Sequence, residues 1–472
     1  MGFTEITFMF VFMPISIIIY VLADRVFNNI LVSNTIIAVL SLLFYFWANK
    51  KSLLVFAMIV ILTYAAGCVA KTETKKDKSN RITKYILTLV GILAFYKYIT
   101  FISDWITSVI NEECFDAANI VVPIGLSFVI FSSISYIVDI YRGQADAGSL
   151  ADCFIYLSFF PKLVAGPIVL WKDFESQLRY RVFSIKQISY GVDRIIIGYA
   201  KKAILADTFG YQLALINSSA IDGGVDTLTM WLRGLLFFFQ LYFDFSGYSD
   251  IAIGLCNIWG FSIKENFNYP YLSMSISEFW RRWHISLGTW FREYVYIPLG
   301  GNRQGNVYIH LMIVFLLTGI WHGSSFNYII WGGVNGLLVV IERIIKDKAW
   351  YKKTPIFLKW FLTIIIVFFS WIIFATEDIY VLPQILKTMF STKNTDINFS
   401  WQYYLTNRTI IFLIIAIVGH ILGMNLMQRG AKSVLNTNVG IVLKRIVLLA
   451  IFIIDILYVI NSSYRPFMYF QF

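Results

Sequence analysis

Four histidines are the side chains of this 472-residue chain best suited to acid–base chemistry near neutral pH. They are His284, His310, His322 and His420. An imidazole beside a hydroxyl can take its proton while the oxygen attacks an acyl group, so each histidine is a candidate general base. The residues around each histidine differ, and they indicate which histidines are candidates for catalysis and which for packing.

His322 lies in the apolar, aromatic stretch FLLTGIWHGSSFNYIIWGGVNG, directly after Trp321. Glycines on either side let a backbone or a ligand approach closely, and Ser324 and Asn327 follow shortly afterwards. An ionisable side chain in such a stretch tends to face the protein interior or a wet cavity. The stretch is therefore typical of a lined cavity with a catalytic histidine or, alternatively, of a packed histidine at an interface.

His284 lies in a long aromatic and basic stretch, Phe279–Val295. On a helix at about 100° per residue, the aromatic residues gather on one side and Arg281, Arg282 and Arg292 on the other. This pattern predicts one amphipathic helix in a membrane interface, with His284 at the edge of the aromatic face. A lipid-headgroup anchor would give the same pattern, but anchoring needs no histidine.

The other two histidines have settings typical of packing. His420, in IVGHILGM, has no polar neighbour in the sequence, which favours an interhelical hydrogen bond. His310 begins an apolar run and fits an interfacial position. It precedes His322 by twelve residues, so on a helix the two would not share a face.

Charged residues within apolar runs are costly to bury and therefore informative. Asp244 and Asp250, in QLYFDFSGYSDIAIG, indicate pairing with a base, the lining of a pathway, or bracing of helices around a glycine. Lys162 lies in FFPKLVAGPIVLW, where Pro161 and Pro167 predict a broken helix at membrane depth.

The elements that must position these residues are membrane helices. Hydrophobic residues make up 58% of the chain and charged residues 14%, against roughly 25% charged residues in soluble domains. We count about eleven to thirteen apolar runs long enough to span a bilayer. The sequence predicts an all-α, polytopic integral membrane protein with one domain, 1–472, in which 266–306 is an interfacial or re-entrant motif. The four cysteines form no CxxC pair, so no metal site is predicted.

The net charge of +11 is first a guide to membrane topology, because loops rich in Lys and Arg stay on the cytoplasmic side. Lys71–Arg81 and Glu342–Lys353 are predicted to be cytoplasmic, and the nearly balanced Thr376–Asn407 to lie outside. The turn Asn49–Lys51 fits this arrangement badly. Basic residues are scattered among loops, so the predicted partner is the lipid bilayer and not nucleic acid.

Five stretches together resemble the membrane-bound O-acyltransferase (MBOAT) family, and more narrowly its bacterial branch typified by the alginate O-acetyltransferase membrane subunit. They are FFPKLVAGPI (Phe159–Ile168), DFSGYSDIAIG (Asp244–Gly254), FWRRWHISLGTWFREYVYIPLGGNR (Phe279–Arg303), GIWHG (Gly319–Gly323) and RPFMYFQF (Arg465–Phe472). The resemblance runs in order through nearly the whole chain. Two small departures are Gly288, where Ser would be expected, and Glu293, where Asp would be expected.

The resemblance implies a ring of tilted helices around a central funnel, with His322 as the catalytic histidine and His284 as a second important one. It implies transfer of an acyl group from a thioester donor, here cytoplasmic acetyl-CoA, with no tightly bound cofactor. The acetyl group would cross the cytoplasmic (inner) cell membrane to a membrane-anchored, SGNH-type esterase-like partner, which modifies an extracellular polysaccharide.

Further residues receive roles on the same basis. Arg281, Arg282 or Arg292 would hold the CoA phosphates at the cytoplasmic rim, because guanidinium groups suit phosphate. The residues expected to support the funnel are Asp244, Asp250, Lys162, Trp321, Ser324 and Asn327.

Three alternatives stay open at this point. One is the related branch that moves D-alanine from a carrier protein to teichoic acids, although IPLGGNR resembles the acetylating branch more. Another is a transporter or flippase, in which intramembrane Asp and His relay protons, but no repeated half is evident. The third is a lipid or protein acyltransferase of the same fold.

Overall fold

The computed structural model describes residues 2–72, 75–110, 120–164, 166–181, 183–222, 224–391, 399–428 and 437–461. Regular structure within these ranges is helical, and they contain no β-strand. The predicted all-α fold class is therefore confirmed. The stretch Arg465–Phe472, which contributes to the family resemblance, lies outside the described residues.

The chain forms two compact units. The first contains Met1–Ile195, Ile251–Glu265 and Thr289–Val295. Its helices are α1 (Met13–Phe27), α2 (Ile30–Asn49), α3 (Leu53–Thr72), α4 (Lys75–Ile110), α5 (Leu126–Tyr141), α6 (Leu150–Ser158), α7 (Phe160–Leu163), α8 (Trp171–Arg179) and most of α9 (Ile185–Tyr199).

The second unit contains Ile196–Asp250, Asn266–Gly288 and Tyr296–Phe472. Its helices are α10 (Asp207–Asp222), most of α11 (Thr227–Ile258), α12 (Ile276–Arg282), part of α13 (Ile285–Phe291), α14 (Val307–His322), α15 (Phe326–Ile345), α16 (Ala349–Lys353), α17 (Ile356–Phe374), α18 (Leu382–Met389), α19 (Trp401–Tyr404), α20 (Asn407–Gln428) and α21 (Asn438–Asn461). The motif predicted over 266–306 is divided between the two units.

Five helical stretches of the described chain are long and apolar enough to cross a membrane. They are Phe8–Phe27, Ile30–Thr72, Asp77–Ile110, Phe326–Ile345 and Ile356–Phe374. Shorter apolar helices lie at Leu126–Tyr141, Val307–His322 and Asn407–Gly423. The protein is thus a multi-pass membrane protein, although its described part has fewer such helices than the about eleven to thirteen spans expected from apolar runs.

Small and polar residues let these helices pack closely while apolar side chains face outward. A Cβ added to Gly67 of α3 would collide with the Tyr136 ring of α5, and Thr63 Oγ1 donates to Ser133 Oγ over 2.9 Å between the same helices. Leu54, by contrast, is 83% exposed on the outer face of α3. Such packing through small residues is typical of helices in lipid.

The helix break predicted around Lys162 is present in the first unit. Helix α6 ends at Ser158, α7 is a single turn, and the described residues between α7 and α8 are non-helical. Lys162 is buried there, where its Nζ donates to Ser132 Oγ over 3.1 Å and lies 4.3 Å from the centre of the Tyr156 ring. A hydroxyl and an aromatic face thus contact the side-chain nitrogen of Lys162.

Candidate active site

The stretch around His322 folds as a helical hairpin in the second unit. Helix α14 ends at His322 and α15 begins at Phe326. A Cβ added to Gly319 or to Gly332 would overlap a carbonyl oxygen of the other helix, so the two backbones lie in direct contact. His322 is therefore held at the end of a rigid hairpin.

His322 is buried among aromatic rings. Its ring centre lies 4.7 Å from that of Trp321, 5.0 Å from that of Phe374 in α17 and 5.2 Å from that of Trp331 in α15. Asn327 is also buried, and its Nδ2 donates to the Phe374 carbonyl over 2.9 Å. Asn327 thus braces the wall of the site by tying α15 to the end of α17, while Ser324 lies half-buried in the turn.

His284 occupies a break in the helix that the sequence pattern predicted to be continuous. Helix α12 ends at Arg282, α13 begins at Ile285, and His284 between them has a φ of 44°. A non-glycine residue in the left-handed region is strained, and such strain clusters at functional sites. The prediction of a single helix from Phe279 to Val295 is wrong because the 100° projection assumes uninterrupted helical geometry.

Trp321 brings the two histidines to one place. The His284 ring centre lies 6.4 Å from the Trp321 ring centre, and the His322 ring centre lies 4.7 Å from it on the adjacent residue. The ring of Phe245 in α11 also packs edge-on against the His284 ring, with 4.6 Å between the two ring centres. Two imidazoles that are 38 residues apart in sequence thus share one aromatic, water-poor neighbourhood.

A polar network holds His284 from behind. Asn266 is fully buried, and its Oδ1 lies 3.1 Å from His284 Nδ1 and 2.8 Å from Ser286 Oγ. Its Nδ2 donates to Ser249 Oγ on α11 over 3.1 Å. Burial lowers the pKa of His284 to about 3, so its imidazole is neutral at physiological pH. No motif pointed to Asn266, Ser286 or Ser249 as site residues, although Asn266 is the first polar residue of the segment that bears the histidine.

The three arginines assigned to phosphate binding have different settings. Arg281 is exposed in α12, and Arg282 next to it pairs with Glu278 over 2.7 Å. Arg292 belongs to the first unit, where its guanidinium pairs with Glu293 over 3.0 Å. Burial acts to raise the pKa of Glu293, but hydrogen bonds from Arg292 and Lys172 outweigh it and lower that pKa. Arg281 is thus the most available of the three for an anionic ligand.

The two aspartates of α11 pair with bases, as one of the sequence interpretations anticipated. Asp244 accepts from the buried Lys202 Nζ at 2.6 Å, and Asp207 contacts the same nitrogen at 2.5 Å. Asp250 pairs with Lys201 at 2.6 Å. The lysines come from a π-helical turn, Ala200–Ala206, so these pairs fasten that turn to α11, which carries Phe245.

The environments of His420 and His310 differ from each other. Three tyrosine rings surround the buried His420, with ring centres 5.0, 5.4 and 5.6 Å from that of the imidazole. They are Tyr242, Tyr269 and Tyr271. The sequence could not reveal them because they come from distant segments. His310 Nδ1 lies 3.0 Å from the Gly301 carbonyl oxygen and fixes a loop, as a packing histidine would.

The chain matches a protein-family model over residues 40–385, and that model is described as MBOAT, membrane-bound O-acyltransferase family. A match over most of the chain, together with the buried histidines, defines the class: this chain belongs to the membrane-bound O-acyltransferase family and is an acyltransferase. The resemblance seen in the sequence motifs is therefore confirmed.

Three individual relatives show which members of the family the chain is similar to. The chain is 36% identical to the protein named Probable alginate O-acetylase AlgI from Pseudomonas putida, with 100% of both chains covered. It is 29% identical to the Helicobacter pylori Peptidoglycan O-acetyltransferase, covering 81% of this chain and 78% of the relative. It is 30% identical to the Bacillus subtilis Teichoic acid D-alanyltransferase, covering 50% and 62%.

Proposed function

We propose that this protein transfers an acetyl group from cytoplasmic acetyl-CoA across the inner cell membrane to a membrane-anchored, esterase-like partner, which esterifies hydroxyls of an extracellular polysaccharide. The observation that carries the proposal is the placement of His284 and His322 against one buried indole, Trp321. Two imidazoles at one buried position suit proton transfer during acyl exchange.

The chemistry follows from the surroundings of the histidines. His322 takes the proton of the attacking hydroxyl, the oxygen bonds to the thioester carbonyl carbon, and the thiolate leaves and is protonated. General base assistance of this kind supplies roughly 10²- to 10⁴-fold in rate. The aromatic rings around His322 exclude water, which protects the thioester from hydrolysis. His284 orients the reacting groups from the other side of Trp321.

The names of the relatives support the choice of acyl group and acceptor. Two of the three relatives compared above align with most of this chain, and they are named for O-acetylation of alginate and of peptidoglycan. The relative named for D-alanyl transfer aligns with half of it. Acetyl transfer to a polysaccharide is therefore favoured over D-alanyl transfer. Arg281 is exposed on α12 and supplies a cation for the donor phosphates.

The test is acetyl transfer from radiolabelled acetyl-CoA in membrane vesicles that contain the protein with its partner, at matched amounts of folded protein. We expect His322→Ala to abolish transfer and His284→Ala to reduce it severely, while His310→Ala, a buried histidine outside the site, keeps it. Full activity of His322→Ala would refute the assigned role. Transfer of D-alanine from a carrier protein, with no transfer from acetyl-CoA, would refute the proposed donor.

A further inference from the structure

The orientation of the Asn266 side-chain amide is fixed by its neighbours. The backbone N–H of Ser286 points at one terminal atom of this amide over 3.2 Å. A backbone N–H can only donate, so that atom must be the carbonyl oxygen, Oδ1. The NH₂ group then faces Ser249 Oγ, a hydroxyl that can accept. The network admits no flipped amide.

This orientation determines where the proton of His284 lies. Oδ1 of Asn266 is an acceptor, and His284 Nδ1 lies 3.1 Å from it, so Nδ1 must carry the hydrogen and donate. A buried imidazole with one proton then has its lone pair on Nε2.

We infer that Asn266 is a positioning residue that holds His284 as the Nδ1–H tautomer, so that Nε2 faces the substrates as a hydrogen-bond acceptor. This inference rests on the proposed acyl transfer and specifies the part that His284 plays in it. Nε2 accepts from the hydroxyl or thiol that takes part in the exchange. It does not donate to the carbonyl oxygen of the thioester, because its hydrogen is on the other nitrogen.

The same logic separates Asn266 from a simple packing residue. Asn266 contacts the His284 ring through Nδ1, and we place its effect on the reaction in that contact. Its replacement should therefore change the tautomer and the pH dependence of the reaction, which a loss of packing alone would not do. Ser286 and Ser249 complete the support, because they hold the two ends of the amide.

The first measurement reads the tautomer directly. The chain contains four histidines, so ¹⁵N-histidine labelling of the purified protein gives a spectrum that single substitutions can assign. We expect a protonated Nδ1 and an unprotonated Nε2 for His284, and a mixture of tautomers in Asn266→Ala. Asn257→Ala, a buried asparagine of the first unit whose Nδ2 bonds the Ile253 carbonyl, is the matched control and should leave the spectrum unchanged. A wild-type signal for protonated Nε2 would overturn the inference.

The second measurement is the pH profile of acetyl transfer. Asn266→Ala should lower the maximal rate roughly 10- to 100-fold, because His284 in the wrong tautomer cannot accept the hydrogen bond that orients the reacting hydroxyl or thiol. Asn266→Asp keeps an acceptor for Nδ1 but adds a negative charge, which raises the pKa of the imidazole. The acid limb of the pH profile of this variant should therefore move to higher pH by about one to three units.

The outcomes distinguish this inference from the proposed function. A wild-type rate and pH profile in both Asn266 variants would overturn the positioning role even if the tautomer is as stated. The spectrum needs no donor, so absence of acetyl transfer in the wild-type protein would refute the proposed function while the tautomer assignment is still decided by the spectrum.

Discussion

Replacement of Lys202 by methionine should destabilise the second unit strongly. Its Nζ lies 2.6 Å from Asp244 and 2.5 Å from Asp207, and the three side chains are 1%, 2% and 8% exposed. Methionine keeps the length of the side chain but leaves two buried carboxylates without their shared cation. Removal of one partner from a buried ion pair costs about 3–5 kcal/mol, which lowers the ratio of folded to unfolded protein by more than roughly 100-fold.

The assay is unfolding of the purified protein in mixed micelles, followed by tryptophan fluorescence as sodium dodecyl sulfate is titrated in. Lys346→Met, an exposed lysine of the same unit, is the control and should change the free energy of unfolding by less than about 0.5 kcal/mol. The double variant with Asp244→Asn removes one of the stranded charges and should recover part of the loss. If Lys202→Met unfolds at the same detergent fraction as the control, the buried triad does not stabilise the fold in the way described.

Three further predictions concern the site and the topology. His420→Ala should lower the free energy of unfolding by about 1–3 kcal/mol, because it empties a box of three tyrosine rings, yet keep acetyl transfer per folded molecule; a variant as stable as wild type would contradict this. Trp321→Ala should reduce transfer at least roughly 10-fold and Trp321→Phe less, because phenylalanine retains a ring between the histidines; equal rates for Trp321→Ala and wild type would refute its linking role. A single cysteine in Glu342–Lys353 should react with a membrane-impermeant reagent only after permeabilisation, and one in Thr376–Asn407 in intact cells, with the reverse pattern excluding the predicted orientation.

Features that depend on local composition could be predicted from the sequence. Apolar runs predicted the membrane helices. The two prolines near Lys162 predicted the helix break there, because a proline removes a backbone hydrogen-bond donor wherever the helix lies. Pairing with a base was one of the three roles predicted for the aspartates of α11, since a charge in an apolar run needs compensation. Their partners, Lys201 and Lys202, were not identified, because they come from another helix.

Features that depend on tertiary contact could not be predicted in this way. No glycine or proline directly precedes the break at His284, so the local sequence does not predict a left-handed backbone conformation there. The role of Asn266 depends on three hydrogen-bond partners, two of which lie 18 and 20 residues away in sequence. The sharing of Trp321 between two histidines likewise depends on how α12 and α14 pack. Motif resemblance pointed to both histidines, but it could not supply the geometry that relates them.

The glycine contact between α14 and α15 has a consequence for mutational tolerance. Any side chain at Gly319 or Gly332 must separate the two backbones, and His322 at the end of α14 would move with them. A displacement of about 1 Å at a reacting group can cost roughly 100-fold in rate. These glycines should therefore be among the least substitutable positions of the chain, whereas Phe374 lies on α17, so we expect a smaller side chain there to leave the glycine contact in place. Libraries that seek enzymes for longer acyl groups should vary the ring and leave the glycines unchanged.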